Sequence, residues 1–145
     1  MTAVVYEIQQ ALSDEDILSC FDLLKILRPE LEVNGFIERV RLQEKEGYHM
    51  IYIQDETGVK SVAGYRVANF LAWGKVLYVD DLITSPDARG TGFGTHLLKW
   101  LMGEAKRHGC DALHLDTGIE RGEAHRLYLN LGMKINCLHL SMDLG

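Results

Sequence analysis

The sequence predicts an α/β domain, one mixed sheet with helices on its faces. Three observations carry that expectation. Apolar residues recur at strand and helix spacings in the order β-α-α-β-β-β-α-β-α-β. Both prolines, Pro29 and Pro86, fall between patterned segments, where proline belongs. The chain has 145 residues, the size of one domain with one proper core, so a single domain over residues 1–145 is expected.

The elements follow in order. Val4 to Gln9 reads as a first strand. Ser13-Asp14-Glu15-Asp16 is a capping-box variant, and the helix it opens carries Ile17, Cys20, Phe21, Leu24 and Leu27 on one face up to Pro29. A second helix spans about Asn34 to Glu46. The period then changes. Tyr48 to Gln54 and Val62 to Trp73 read as a hairpin about the turn Asp55–Gly58. Gly74-Lys75 turns the chain into a third strand, Val76 to Thr84. A helix from about Gly92 to His108 ends at Gly109, where a left-handed residue is wanted. Ala112 to Asp116 is a strand, Glu123 to Leu131 a helix, and Met133 to Leu144 a final strand.

Composition excludes several classes. The hydrophobic fraction is 47% and the charged fraction 25%, which argues against disorder and fibrous folds. A net charge of −6 repels phosphate backbones, so neither nucleic acid nor an anionic membrane is an expected partner. Three scattered cysteines, Cys20, Cys110 and Cys137, fit a reducing compartment. With no signal-peptide pattern and no long apolar run, a cytoplasmic protein is expected. The six histidines show no ligand spacing with each other or with cysteine, so no metal is expected. Lys106-Arg107-His108 sits where cations complement a helix dipole.

The informative stretch is Asp87-Ala88-Arg89-Gly90-Thr91-Gly92-Phe93-Gly94-Thr95, between a strand and a helix. Its glycines permit strained dihedrals and a close backbone approach, and the helix start offers unpaired N–H groups to a phosphate. A tight turn explains the spacing equally well. No Gly-Lys-Ser/Thr follows, so it is not a P-loop. The third glycine comes one position early, at Gly94, for a dinucleotide fingerprint.

Arg89-x-x-Gly92-x-Gly94 resembles the acetyl-CoA signature of the GNAT superfamily of N-acetyltransferases, Gln/Arg-x-x-Gly-x-Gly/Ala. Leu77 to Thr84 is similar to that family's fourth strand. Ala124, Tyr128, Gly132 and Met133 match its second signature, Ala-x-x-x-Tyr-x-x-x-Gly-Phe/Met. The resemblance implies a mostly antiparallel central sheet flanked by about four helices. A splayed strand pair, opened by a bulge in the first strand, would bind acetyl-CoA. The pyrophosphate would lie on the amides of Gly90, Thr91, Gly92, Phe93, Gly94 and Thr95, beside Arg89. Leu82, Ile83 and Thr84 would hold the pantetheine arm, with Arg121 and Ala124 on its other side. Arg121 departs from the family, which often has Asn there. The C-terminal stretch offers one long strand where the family usually has two, so a homodimer partner is expected to complete the substrate wall.

The resemblance also assigns roles for direct acetyl transfer to a primary amine. Asp80 is similar in position to the family's acid that draws a proton from the amine, and Asp81 would help hold a cationic acceptor. Two adjacent acids in an apolar strand are costly unless paired or functional, and strand parity points them to opposite faces. Local pairing is the plainer role for either. Tyr128 matches the family's general acid, against a plain packing role on its helix face. Asp116 and Glu123 are further candidates for the substrate, while His114 reads as a satisfied polar residue, and Trp73 and Tyr78 as packing. These features favour a small cationic amine as acceptor. A protein lysine acceptor, a non-catalytic acyl-CoA sensor and a nucleotide-binding domain are the alternatives.

Overall fold

A computed structural model describes residues 6–118 and 121–145. Five strands lie in the order β1-β2-β3-β4-β5. They are β1 (Gln9–Gln10), β2 (His49–Asp55), β3 (Gly58–Phe70), β4 (Gly74–Thr84) and β5 (Ala112–Leu115). The pairings from β1 to β4 are antiparallel. The long helix α4 (Phe93–Arg107) carries the chain from β4 to β5, the kind of crossover that parallel neighbours need. The chain divides into two compact units, Met1–His114 and Leu115–Gly145.

The first unit buries a core on the sheet. One cluster joins Ile17, Phe21, Leu24, Phe36 and Val40 to Met50, Val62 and Ile83 of the sheet. Its helices are α1 (Asp14–Ser19), α2 (Phe21–Leu27) and α3 (Phe36–Lys45). Helix α4 also packs on β3 and β4, and Leu97, Leu98 and Leu101 are buried along it. Burying such side chains contributes roughly 1.5–3 kcal/mol each.

Three expectations need correction. The helix expected from Ser13 to Leu27 is two helices. The Cys20 amide bonds the Ile17 carbonyl, a three-residue turn that breaks the helix between α1 and α2. The Ser13 cap is present, its hydroxyl accepting from the Asp16 amide at 3.1 Å. The first strand was expected from Val4. Residues 4 and 5 lie outside the described residues, and β1 appears only as Gln9–Gln10.

The third correction is larger. No strand forms over residues 133–145. Alternating apolar side chains make a segment able to pair, but a strand exists only where its backbone finds a ladder partner. Leu138, Leu140, Met142 and Leu144 alternate with polar residues and remain exposed. The second unit is otherwise built on α5 (Gly122–Asn130), which buries Tyr128 and ends on Gly132 in the left-handed region.

Candidate active site

Strand β4 carries the expected acids, and its ladder with β3 slips beside them. Gly64 pairs with Asp81 and Tyr65 with Val79, which leaves Asp80 as the extra residue of a β-bulge. The bulge expected in this strand is present. It also overturns the parity argument, because an extra residue cancels the alternation of faces. Instead of separating, the two acids enter one polar network.

Arg66 of β3 grips Asp80. Its Nε donates to both carboxylate oxygens at 3.1 Å and its Nη2 to Oδ2 at 2.6 Å. The Arg66 guanidinium also lies 5.7 Å from the centre of the Tyr48 ring. The Tyr48 hydroxyl in turn donates to Asp81 Oδ2 at 2.9 Å. Arg28, just past the end of α2, donates from Nε to Asp81 Oδ1 at 3.1 Å and from Nη2 to the Asp80 carbonyl at 2.9 Å. Two arginines and two aspartates thus cancel in formal charge.

Burial shifts two of these groups, Asp80 and Tyr48. It raises the Asp80 carboxyl above its ordinary value, against the opposing pull of Arg66. Burial, and then the charge of Asp81, raises the Tyr48 phenol well above its usual value. Tyr48 is therefore a donor throughout the neutral range.

Beyond the acids, β4 runs to Leu82, Ile83 and Thr84. Leu82 and Ile83 are buried. The Thr84 hydroxyl lies 3.0 Å from that of Ser61, which also donates to the Ile83 carbonyl. Lys60 and Ser85 both bond Asp87 at the start of the following loop. Arg89 is extended, and Gly90 and Gly92 take φ values of 81° and 90°. Gly92 caps α4 with no side-chain hydrogen bond, so among the described residues no capping side chain accepts from the amides of the first turn. Phe93 meets Tyr6 edge to face at 5.5 Å. Gly94 and Thr95 lie within that first turn. Positive-φ glycines beside an uncapped helix start fit a pyrophosphate group.

The second unit holds Asp116, Arg121, Glu123, Ala124 and Tyr128. Asp116 Oδ2 lies 2.8 Å from Nδ1 of His139. Arg121 precedes α5 as its N-cap, Glu123 and Ala124 are in its first turn, and Tyr128 is buried near its end. Burial raises the Tyr128 phenol above its ordinary value. The Thr117 hydroxyl oxygen is buried and finds no hydrogen-bond partner among the described residues.

Other candidates go elsewhere. Trp73 stacks on His114 at 4.2 Å, at the hairpin end of β3 and β4. Arg107 and His108 both bond the buried Glu104 on their own helix. Among the described residues, no group of three or more His, Cys, Asp and Glu has the arrangement to hold a metal.

Sequence reasoning passed over Arg28, Tyr48, Gly64 and Arg66. Arg66 left a signal, a cation inside an apolar strand that must find an acid. Arg28 left none, since only the fold brings it to the aspartates.

The sequence model of the acetyltransferase (GNAT) family matches residues 14–133. The chain is similar to the uncharacterized N-acetyltransferase YhdJ of Bacillus subtilis (strain 168), with 26% identity over 121 residues, 83% of this chain and 85% of that one. It is also similar to the aminoalkylphosphonate N-acetyltransferase of Salmonella typhimurium, with 39% identity over 56 residues, 39% of this chain and 36% of that one. A solved structure described as a transcriptional regulator from Bacillus halodurans superposes with a TM-score of 0.85 at 20% identity, covering 97% of this chain and 100% of that one. At that identity the likeness is one of fold.

Proposed function

The chain belongs to the GNAT acetyltransferase family and is an acyltransferase enzyme, and from that premise we propose that it moves an acetyl group from acetyl-CoA to the primary amine of a small molecule. The observation that carries the reading is the bulge at Asp80, on the strand that leads into the glycine loop. A relative named for aminoalkylphosphonates supports a small-molecule amine.

In this reading Arg89, Gly90, Thr91, Gly92, Phe93, Gly94 and Thr95 bind the pyrophosphate. Leu82, Ile83, Thr84, Arg121 and Ala124 hold the pantetheine arm. Asp80 takes a proton from the ammonium, directly or through water, because burial makes it a stronger base than an ordinary carboxylate. The amine nitrogen then bonds the thioester carbonyl carbon, and the carbon–sulfur bond breaks. Tyr128 protonates the departing thiolate and regains its proton from solvent, to which Asp80 returns its own. The raised pKa of Tyr128 keeps that proton available at neutral pH. Asp81 orients the amine, and Asp116 and Glu123 contact the rest of the acceptor. No step needs an acyl-enzyme.

The paired arginines change the acceptor expected from the acids alone. A cluster with no net charge exerts no special pull on a polycation, so among small cationic amines the reading favours a singly charged one. A homodimer is part of the same proposal. The exposed alternation of Leu138, Leu140, Met142 and Leu144 supports it, since such a row gains by pairing with a second copy. No helix among the described residues is long and apolar enough to cross a membrane.

The test is an acetyl-CoA titration by thermal shift, followed by thiol release over a panel of amines. Cofactor binding raises the melting midpoint by mass action. Binding with thiol release is expected. Binding with no acceptor in the panel favours an acyl-CoA sensor, and no binding removes the cofactor site.

A further inference from the structure

We propose that Arg28 reads an acidic group on the acceptor, so that the acceptor is a zwitterion with a carboxylate, phosphonate or similar acid a short carbon chain from its amine. The inference rests on the acetyl-transfer reading above and deepens it.

The two arginines of the cluster are not held alike. Arg66 makes three bonds to one carboxylate and is 24% exposed. Arg28 is held by one carboxylate oxygen and one carbonyl, and is 51% exposed. Its partner Asp81 is only 17% exposed. Nη1 of either arginine bonds no protein group among the described residues, so the contrast lies in bond count and exposure. Of the two guanidinium groups, Arg28 is the one an incoming ligand can move.

An ammonium that approaches these acids meets carboxylates already paired. To take the contact at Asp81 Oδ1 that Arg28 now makes, it must displace Arg28. A plain amine then leaves a guanidinium without its anion, beside a new cation. An acceptor that brings its own acid exchanges one ion pair for two. Its ammonium goes to Asp81 and its acid to the released guanidinium, whose planar donors match an oxyanion in two-point geometry. Specificity here is a difference between two outcomes: a zwitterion satisfies both members of the pair, and a simple cation strands one.

The experiment measures kcat/KM for β-alanine, 2-aminoethylphosphonate and taurine against propylamine and putrescine, in the wild type, R28Q and R28K. In the wild type at least one acid-bearing amine is favoured over propylamine by about 10- to 100-fold, the range of a charge-assisted bond. R28Q brings that ratio close to one, mainly through KM of the acid-bearing amine. R28K, which keeps the charge but not the planar fork, restores part of it. The three acids separate carboxylate, phosphonate and sulfonate recognition. A wild type that prefers propylamine or putrescine overturns the inference while leaving acetyl transfer standing. So does an R28Q variant whose rates fall equally for every amine, the mark of a purely structural arginine. Thiol release with no amine at all overturns both readings.

Discussion

Gly64 sits across the ladder from Asp81, and a methyl group placed on it would stand 1.8 Å from the Tyr48 hydroxyl oxygen. No real Cβ contact is that short. The absence of a side chain at Gly64 is what lets the tyrosine reach over β3 and bond Asp81. The ladder slip that makes Asp80 a bulge begins at the same residue. The missing side chain thus makes room for the contact to Asp81 at the rung where the ladder slips.

Gly64→Ala is thus expected to destabilise the fold by about 1–3 kcal/mol or more, since the tyrosine ring must move out of a packed core. Its φ is unremarkable, so the cost is steric and not conformational. Urea unfolding measures it. The double variant Gly64→Ala/Tyr48→Ala removes the clash, and it should lose less than the two single changes added together. Simple additivity would show that the two residues do not meet.

Asp80 gives a pH prediction with a definite sign. Its folded pKa is raised by burial, so the native state holds that proton more tightly than the unfolded chain does. The stability this contributes is present below the ordinary carboxylate value of about 3.9, and is lost as pH rises through the folded value. Wild type minus Asp80→Asn stability should therefore fall with pH across that window. In kinetics, the acidic limb of kcat/KM, displaced upward from that of an ordinary carboxylate, should vanish in Asp80→Asn. A limb unchanged in the variant would assign the base elsewhere.

The glycine loop offers a cleaner separation of stability from binding. Among the described residues nothing lies within 4 Å of a Cβ built on Gly92, so alanine meets no clash with them. The obstacle is its φ of 90°. Gly92→Ala should cost about 1–2 kcal/mol of stability in urea. Its KM for acetyl-CoA should rise as the loop amides turn away from the pyrophosphate, with KM for the amine little changed. An unaltered acetyl-CoA affinity would make the loop a plain turn.

Much of this was legible in the sequence, for reasons that particular residues make plain. Apolar spacing placed β2, β3, β4 and α4, because α4 buries one stripe of apolar residues and the strands bury consecutive apolar residues on both faces, and burial writes itself into spacing. Pairs across the fold write nothing local. Arg28 stands fifty-two residues from the Asp80 carbonyl it bonds, and Tyr48 thirty-three from Asp81. The bulge reversed a parity argument that was sound for a regular strand, since a single extra residue shifts every face beyond it. The C-terminal alternation misled in a different way. Residues 138–144 have the pattern of a strand, yet a strand is a relation between two segments, and one sequence names only one of them.

Tyr128 carries the last prediction. Tyr128→Phe removes one oxygen and keeps the ring that fills its buried position, so the fold should survive with a nearly unchanged melting midpoint. The acetyl-CoA-induced shift in that midpoint should survive as well, because the phenol is assigned to the departing sulfur and not to cofactor binding. What the change removes is a proton donor that burial keeps protonated well past neutral pH. Turnover should drop by about 10²- to 10⁴-fold, the usual worth of a placed acid. The loss should appear in kcat, and should shrink when the acetyl donor is replaced by a thioester with a more acidic thiol, whose thiolate leaves without help. A loss that ignores the leaving group would make Tyr128 a packing residue, and another group would have to supply the proton.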